Sequence, residues 1–249
     1  MPGTIRVGIG GWTFEPWRGV FYPEKLPQKQ ELAFASRALT AIEINGTYYS
    51  TFKPKSWIDW REATPDDFVF SVKASRYATN RKVLAEAGPS VSRFLEQGLT
   101  ELGPKLGPIV WQFMPTKKFD ADDFGAFLAL LPKKHDGIAL RHAVDVRHPS
   151  FVTQDFFKLA RAHNVAIVTA ESDEYPEIDE ASGGFTYARV MSSSEDLDAG
   201  LDDAALTAIA KRAKAWAKSG DTFVFFIAGA KVRNPGAAVA LQNKLKIKR

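Results

Sequence analysis

Residues 40–50 read TAIEINGTYYS. The run opens as an apolar β-branched strand and then meets Glu43, Asn45, a glycine and two adjacent tyrosines. Side chains two apart on a strand share a face, so Glu43 and Asn45 point the same way. An edge strand with one wet side would explain the carboxylate. So would a strand that carries functional groups at its carboxyl end, and the remainder of the chain decides between the two.

Seven further runs resemble this one. They are IRVGI (5–9), FVFSVK (68–73), PIVWQF (108–113), AVDVR (143–147), VAIVTA (165–170), FTYARV (185–190) and TFVFFI (222–227). With AIEIN (41–45) they make eight short strands, apolar on both faces, as parallel strands covered by helices are. Helix-period segments lie between them. PKSWIDWREA places Trp57 and Trp60 three apart. SVSRFLEQGLTEL, DADDFGAFLALL with an Asp120 cap, and DAALTAIAKRAKAWAK each stack apolar residues on one stripe, which predicts core packing. Between the sixth and seventh strands only residues 171–184 remain, acidic and containing Pro176 and Gly183–Gly184, so the helix there is expected to be degenerate or missing. The prediction is an α/β fold: a single (β/α)8 TIM-type barrel domain over 1–249. A doubly wound open sheet is the alternative, but GIGGWTF lacks the G-x-G-x-x-G spacing of a dinucleotide site.

Composition narrows the classes. Hydrophobic residues make up 45% of 249, enough for a sizeable core. No apolar run approaches the roughly 18 residues of a membrane span. The start MPGTIRVGIGG has no basic segment leading into a long apolar one, so no signal peptide and a cytoplasmic location are expected. Absence of cysteine excludes disulfides, thiolate nucleophiles and cysteine-ligated metal. A net charge of +4 mildly favours an anionic partner. The basic tail NKLKIKR and the acidic ESDEYPEIDE (171–180) read as solvated surface.

In a barrel the active face lies at the carboxyl ends of the strands, which selects the candidate residues. Glu43 and Asp145 are the candidate acid–base groups. Lys73, Arg76, Arg147 and Arg189 supply positive charge suited to phosphate or carboxylate. Trp12, Tyr48 and Tyr49 offer an aromatic wall, and Asn45, Gln112 and His148 complete the candidate binding set. Inward Glu43, Asp145, Lys73, Arg147 and Arg189 would have to pair with one another, and such a network serves structure as readily as catalysis. His148, followed by Pro149, reads as a cap of the next helix rather than a ligand. Carboxylates alone could hold Mg²⁺ or Mn²⁺, opposed by the nearby arginines. Two readings stand: an enzyme acting on a phosphorylated or otherwise anionic small molecule or nucleic acid, or a non-catalytic protein that binds such an anion in the same pocket.

Six segments in chain order carry a resemblance. They are GIGGWTFEPWRGVFYP (8–23), IEINGTYY (42–49), FVFSVK (68–73), LGPIVWQFMP (106–115), VDVRHPSF (144–151) and YARV (187–190). Together they resemble the YecE-like family, domain of unknown function 72. The resemblance implies a (β/α)8 barrel and a site at the strand ends, and no known reaction. It also marks departures. Asn80 stands where the family has histidine after threonine, MSSS follows the seventh strand in place of histidine and glycine, Ala228–Gly229 replace an asparagine pair, and Asp145 replaces glutamate. If the family is catalytic, these changes imply an altered substrate or reduced activity.

Overall fold

Alternate strand residues separate into two apolar clusters, and that separation defines the architecture. The computed structural model describes residues 2–248; Met1 and Arg249 lie outside them. One cluster holds Ala41, Val69, Val110, Ala143, Ala166, Val168, Tyr187, Phe223 and Phe225. The other holds the opposite parity, Ile42, Phe70, Ile109, Trp111, Val144, Ala188 and Val224, packed with the helices. The period of two along a strand places the first set inside a closed sheet and the second outside it.

The strands are β1 (Ile5–Gly10), β2 (Ala41–Ile44), β3 (Val69–Lys73), β4 (Leu106–Gln112), β5 (His142–Asp145), β6 (Ala166–Glu171), β7 (Thr186–Val190) and β8 (Thr222–Phe226). Each pairs in parallel with the next, and β8 closes on β1 with Ile5 opposite Thr222. The (β/α)8-type barrel is therefore complete, and β2 has a neighbour on each side, which removes the edge-strand explanation. On β1, Val7 and Ile9 belong to the outer cluster, leaving Gly8 and Gly10 facing in. A Cβ on Gly8 would lie 2.0 Å from the Ala41 carbonyl oxygen and 3.2 Å from the Phe225 ring. Phe225 of β8 thus fills the interior that Gly8 leaves open, and Ile227 and Asn45 crowd in at Gly10.

Helices α1 (Glu31–Ala38), α2 (Pro54–Ala63), α3 (Arg76–Thr79), α4 (Gly88–Leu95), α5 (Ala121–Ala129), α6 (Gln154–Ala162), α7 (Asp203–Trp216) and α8 (Asn234–Leu245) connect and cover the strands, α3 and α4 together joining β3 to β4. Asp120 caps α5 by accepting from the Asp122 and Asp123 amides. The helix expected over 90–102 stops at Leu95, because Gly98 adopts φ 98° and a 3-10 turn follows. No helix lies between β6 and β7. That segment buries Ile178, and its Glu177 and Asp179 pair with Arg212 of α7. Part of the acidic run is thus tied to the barrel wall rather than merely solvated. A short hairpin, Lys134–His135 with Ile138–Ala139, was not anticipated. Its signal is Asp136–Gly137, both at positive φ as a tight primed turn requires. Among the described residues no helix is long and apolar enough to cross a membrane.

Candidate functional site

Above the apolar interior the same strand parity lifts a polar layer. Ala41 is followed inward by Glu43, Val69 by Ser71, Val110 by Gln112, Ala143 by Asp145 and Tyr187 by Arg189. Glu43, Asp145 and Arg189 have at most 1% exposure. Such burial of charge is tolerable only with close partners. Arg189 supplies them. Its Nη2 donates to both Glu43 carboxylate oxygens at 2.7 Å, and its Nη1 donates to Asp145 Oδ2 at 2.6 Å. The Tyr187 hydroxyl donates to Glu43 Oε2 at 2.5 Å and meets Ser71 Oγ at 2.7 Å. Gln112 Oε1 accepts from Arg189 Nη1 at 2.8 Å and from Arg147 Nη2 at 3.0 Å. Burial alone would lower the Arg189 pKa, yet Glu43 and Asp145 hold it above its ordinary value. Burial, then the Glu43 charge, raise the Tyr187 phenol well above its usual range, so it stays a donor.

Over this layer opens a cavity of about 650 Å³. Seven strands reach it at or just past their carboxyl ends, through Gly10, Glu43, Lys73, Gln112, Arg147, Arg189 and Ile227; β6 contributes none. Trp12, Phe52, Trp60 and Tyr49 form much of the apolar wall. Trp12 and Trp60 meet edge to face at 5.2 Å. The loop of the opening stretch anchors the site, since Thr47 Oγ1 donates to the Lys73 carbonyl at 2.6 Å. The Lys73 ammonium lies 4.4 Å from the centre of the Tyr48 ring. It makes no hydrogen bond or ion pair with a described residue. Its pKa falls to about 8, chiefly through burial and then the Arg189 charge, with Arg147 adding to the fall and Glu43 and Asp145 opposing it.

The family model described as protein of unknown function DUF72 matches residues 6–249. The chain belongs to the DUF72 family. The UPF0759 protein YecE of Escherichia coli K12 is 29% identical over 150 residues, 59% of this chain and 50% of that relative; the match thus spans half the relative's length. The crystal structure of a DUF72 protein from Thermotoga maritima superposes with TM-score 0.77 at 22% identity, covering 99% of this chain and 100% of the other. One from Enterococcus faecalis gives 0.78 at 12%, covering 99% and 97%. Both likenesses speak to fold alone.

In this DUF72 barrel the candidates divide. Trp12, Glu43, Asn45, Tyr49, Lys73, Gln112, Arg147 and Arg189 line the cavity. Tyr48 sits beside Lys73 without lining it. Asp145 lies beneath, wholly buried, tying Arg189 and, at 3.2 Å, Arg147. Arg76 is exposed on α3, over the Tyr49 and Tyr77 rings, and is not brought in. His148 caps the turn Pro149–Phe151, its Nδ1 accepting from the Ser150 amide. Glu171, at the end of β6, points to Ser192 and Arg212. Among the described residues no three His, Asp or Glu converge on a metal position. With Glu43 and Asp145 both held by Arg189, Mg²⁺ or Mn²⁺ has no seat in this arrangement.

Sequence reading missed Lys231 and Asn234, which line the cavity past β8, and Tyr175, whose ring lies 4.4 Å from the Arg147 guanidinium. Tyr175 comes from the segment without a helix, and its aromatic character in an acidic run was the available signal. The DUF72 departures also acquire a physical reading. Ala228 and Gly229, where the family pattern has asparagines, both adopt left-handed backbone at φ 59° and 53°. Asparagine tolerates that region better than alanine does. Asp145, shorter than the usual glutamate, still reaches Arg189 but leaves its buried Oδ1 without a protein partner.

Proposed function

We propose that the cavity binds a small anionic molecule, phosphorylated or carboxylated, and that the protein is an enzyme acting on it. One observation carries the reading: positive charge exceeds negative at the floor and walls. Glu43 and Asp145 are matched by Arg189 and Arg147, and Lys73 and Lys231 add charge that no described carboxylate pairs. An anion entering the cavity meets Arg147 and Lys73 beneath an aromatic wall. A cavity of this size admits one small ligand, so a nucleic acid would present only a single nucleotide to it. Glu43 lines the cavity and is the candidate for handling a proton; Asp145 orients the two arginines from below.

The second reading, binding without turnover, is favoured by the engagement of both carboxylates with Arg189. The experiment is calorimetric titration with inorganic phosphate, joined to a substrate screen over phosphatase, isomerase and nuclease reactions with and without Mg²⁺ or Mn²⁺. Single-site phosphate binding, weakened at least tenfold by Arg147→Met, is expected. Turnover abolished by Glu43→Gln identifies the enzyme, and phosphate binding with no turnover identifies the binder. No phosphate binding, or binding indifferent to Arg147, refutes both.

A further inference from the structure

Lys73 lines the cavity without an ion pair to any described residue. Lys73 ends β3, and its backbone is pinned by the Thr47 hydroxyl at 2.6 Å and by the Ala74 amide bonding the Val110 carbonyl at 2.9 Å. Its side chain faces the cavity with the Tyr48 ring beside it. The two carboxylates that would have held an ammonium in place, Glu43 and Asp145, are closed on Arg189 at 2.7 and 2.6 Å. A lysine with fixed attachment, an open cavity before it and no ion pair to a described residue is placed as a nucleophile rather than as an ion-pair partner.

We propose that Lys73 condenses with the carbonyl carbon of an anionic aldehyde or ketone, so that the substrate class of this cavity is small anionic carbonyl compounds. The proposal rests on the anion-binding reading: Arg147 seats the anionic group and Lys73 meets the carbonyl. The Nζ lone pair forms the new C–N bond as the C=O π pair moves to oxygen. A proton passes from nitrogen to that oxygen, a second proton reaches the same oxygen from solvent, water then leaves with the C–O bonding pair, and a protonated imine remains. No oxidant or reductant is consumed. Trp12, Phe52 and Trp60 give the cavity that would hold the imine an apolar wall.

The charged groups acting on Lys73 are Arg189 and Arg147, which lower its proton affinity, and Glu43 and Asp145, which raise it, with burial as the largest influence. With a pKa of about 8 in place of 10.5, about one lysine in ten is neutral at pH 7, against about one in three thousand for an ordinary lysine. Lower basicity weakens the nucleophile by roughly tenfold if amines follow the trade-off known for thiols. The net gain in rate is then about 30-fold.

The test is reductive trapping of the whole protein with glyoxylate and cyanoborohydride at pH 7, followed by peptide mass mapping. One carboxymethyl group per chain is expected on Lys73, formed about 30-fold faster than on other lysines. Inorganic phosphate should slow it. Arg147→Met should slow trapping of glyoxylate but not of acetaldehyde, which has no anionic group. Lys73→Arg should abolish the fast adduct, and an unchanged cooperative urea unfolding transition reports that the variant is folded. Label spread evenly over the lysines, or a fast adduct that survives Lys73→Arg, overturns the proposal. If phosphate still binds in that case, the anion site stands without the nucleophile. If neither phosphate binding nor Lys73 trapping is found, both readings fall.

Discussion

Replacing Arg189 by methionine tests whether the polar layer is a structural counter-ion system. Arg189 makes three contacts to Glu43, at 3.2, 2.7 and 2.7 Å, and one of 2.6 Å to Asp145. After substitution Glu43 keeps only the Tyr187 hydroxyl and Asp145 only the longer Arg147 contact. Both carboxylates have 0% exposure, so neither recovers its hydration. Breaking one buried pair costs about 3–5 kcal/mol because the remaining charge stays uncompensated. Two carboxylates sharing one cation place Arg189→Met at or above the top of that range, on the order of 5 kcal/mol. Urea unfolding at pH 7, followed by tryptophan fluorescence, measures it. Adding Glu43→Gln and Asp145→Asn in the same chain removes the stranded charges and should return at least half of the loss. A loss under about 1 kcal/mol, the range of exposed ion pairs, would refute the reasoning. So would a triple variant no more stable than the single one.

Lys73→Met should be more stable than the wild type at pH 7, by up to about 3 kcal/mol, from a pKa lowered from 10.5 to about 8 at roughly 1.4 kcal/mol per pH unit. Between pH 8 and 10.5 the unfolded wild type binds more protons than the folded one, so wild-type stability rises relative to the variant as pH rises; a difference flat across that window in paired urea titrations refutes the burial of a charged lysine. His142, 5% exposed with its pKa pushed down to about 4 by burial, accepts from Trp111 Nε1 at 3.1 Å and donates to the Pro132 carbonyl at 2.8 Å. Protonation would set a second N–H against the indole donor, so stability should be whole above pH 6.5 and fall by about 3 kcal/mol as pH drops toward 4, a dependence that His142→Gln should flatten in the same assay.

How far the sequence carried depended on the kind of signal. Strand number and order were legible because every strand alternates between two apolar environments, and a parallel barrel demands both. The absent helix after β6 was legible from Pro176 and the paired glycines. Partnership was not. Nothing in the spacing of Glu43, Asp145 and Arg189 says that one guanidinium closes on both carboxylates, because that depends on β2, β5 and β7 standing around one axis. The charge pattern therefore placed Arg189 with the anion-binding residues, whereas its geometry makes it a counter-ion of the floor. Lys231 and Tyr175 escaped because each lies in a loop whose path strand periodicity does not constrain. His148 was readable as a cap because Pro149 marks the first position of a helical turn.

The closing of Arg189 on both carboxylates also sets the charge of the space above it. Glu43 and Asp145 against Arg189 and Arg147 sum to zero, so Lys73 and Lys231 decide the field that a ligand meets. Lys231 lies with its ammonium 4.1 Å from the Phe14 ring centre, and burial lowers its pKa as well. Burial thus lowers the proton affinity of both lysines. A neutral carbonyl compound would leave a protonated imine with no counter-charge in a buried setting. An anionic one brings its own negative charge, so the cation on the Lys73 nitrogen is paired within a single adduct. Glu43 of TAIEINGTYYS, besides lining the cavity, thus shapes the surroundings of Lys73. By holding Arg189, Glu43 leaves the lysine on the next strand without an ion pair to a described residue, and under the proposed condensation that arrangement favours an anionic carbonyl over a neutral one.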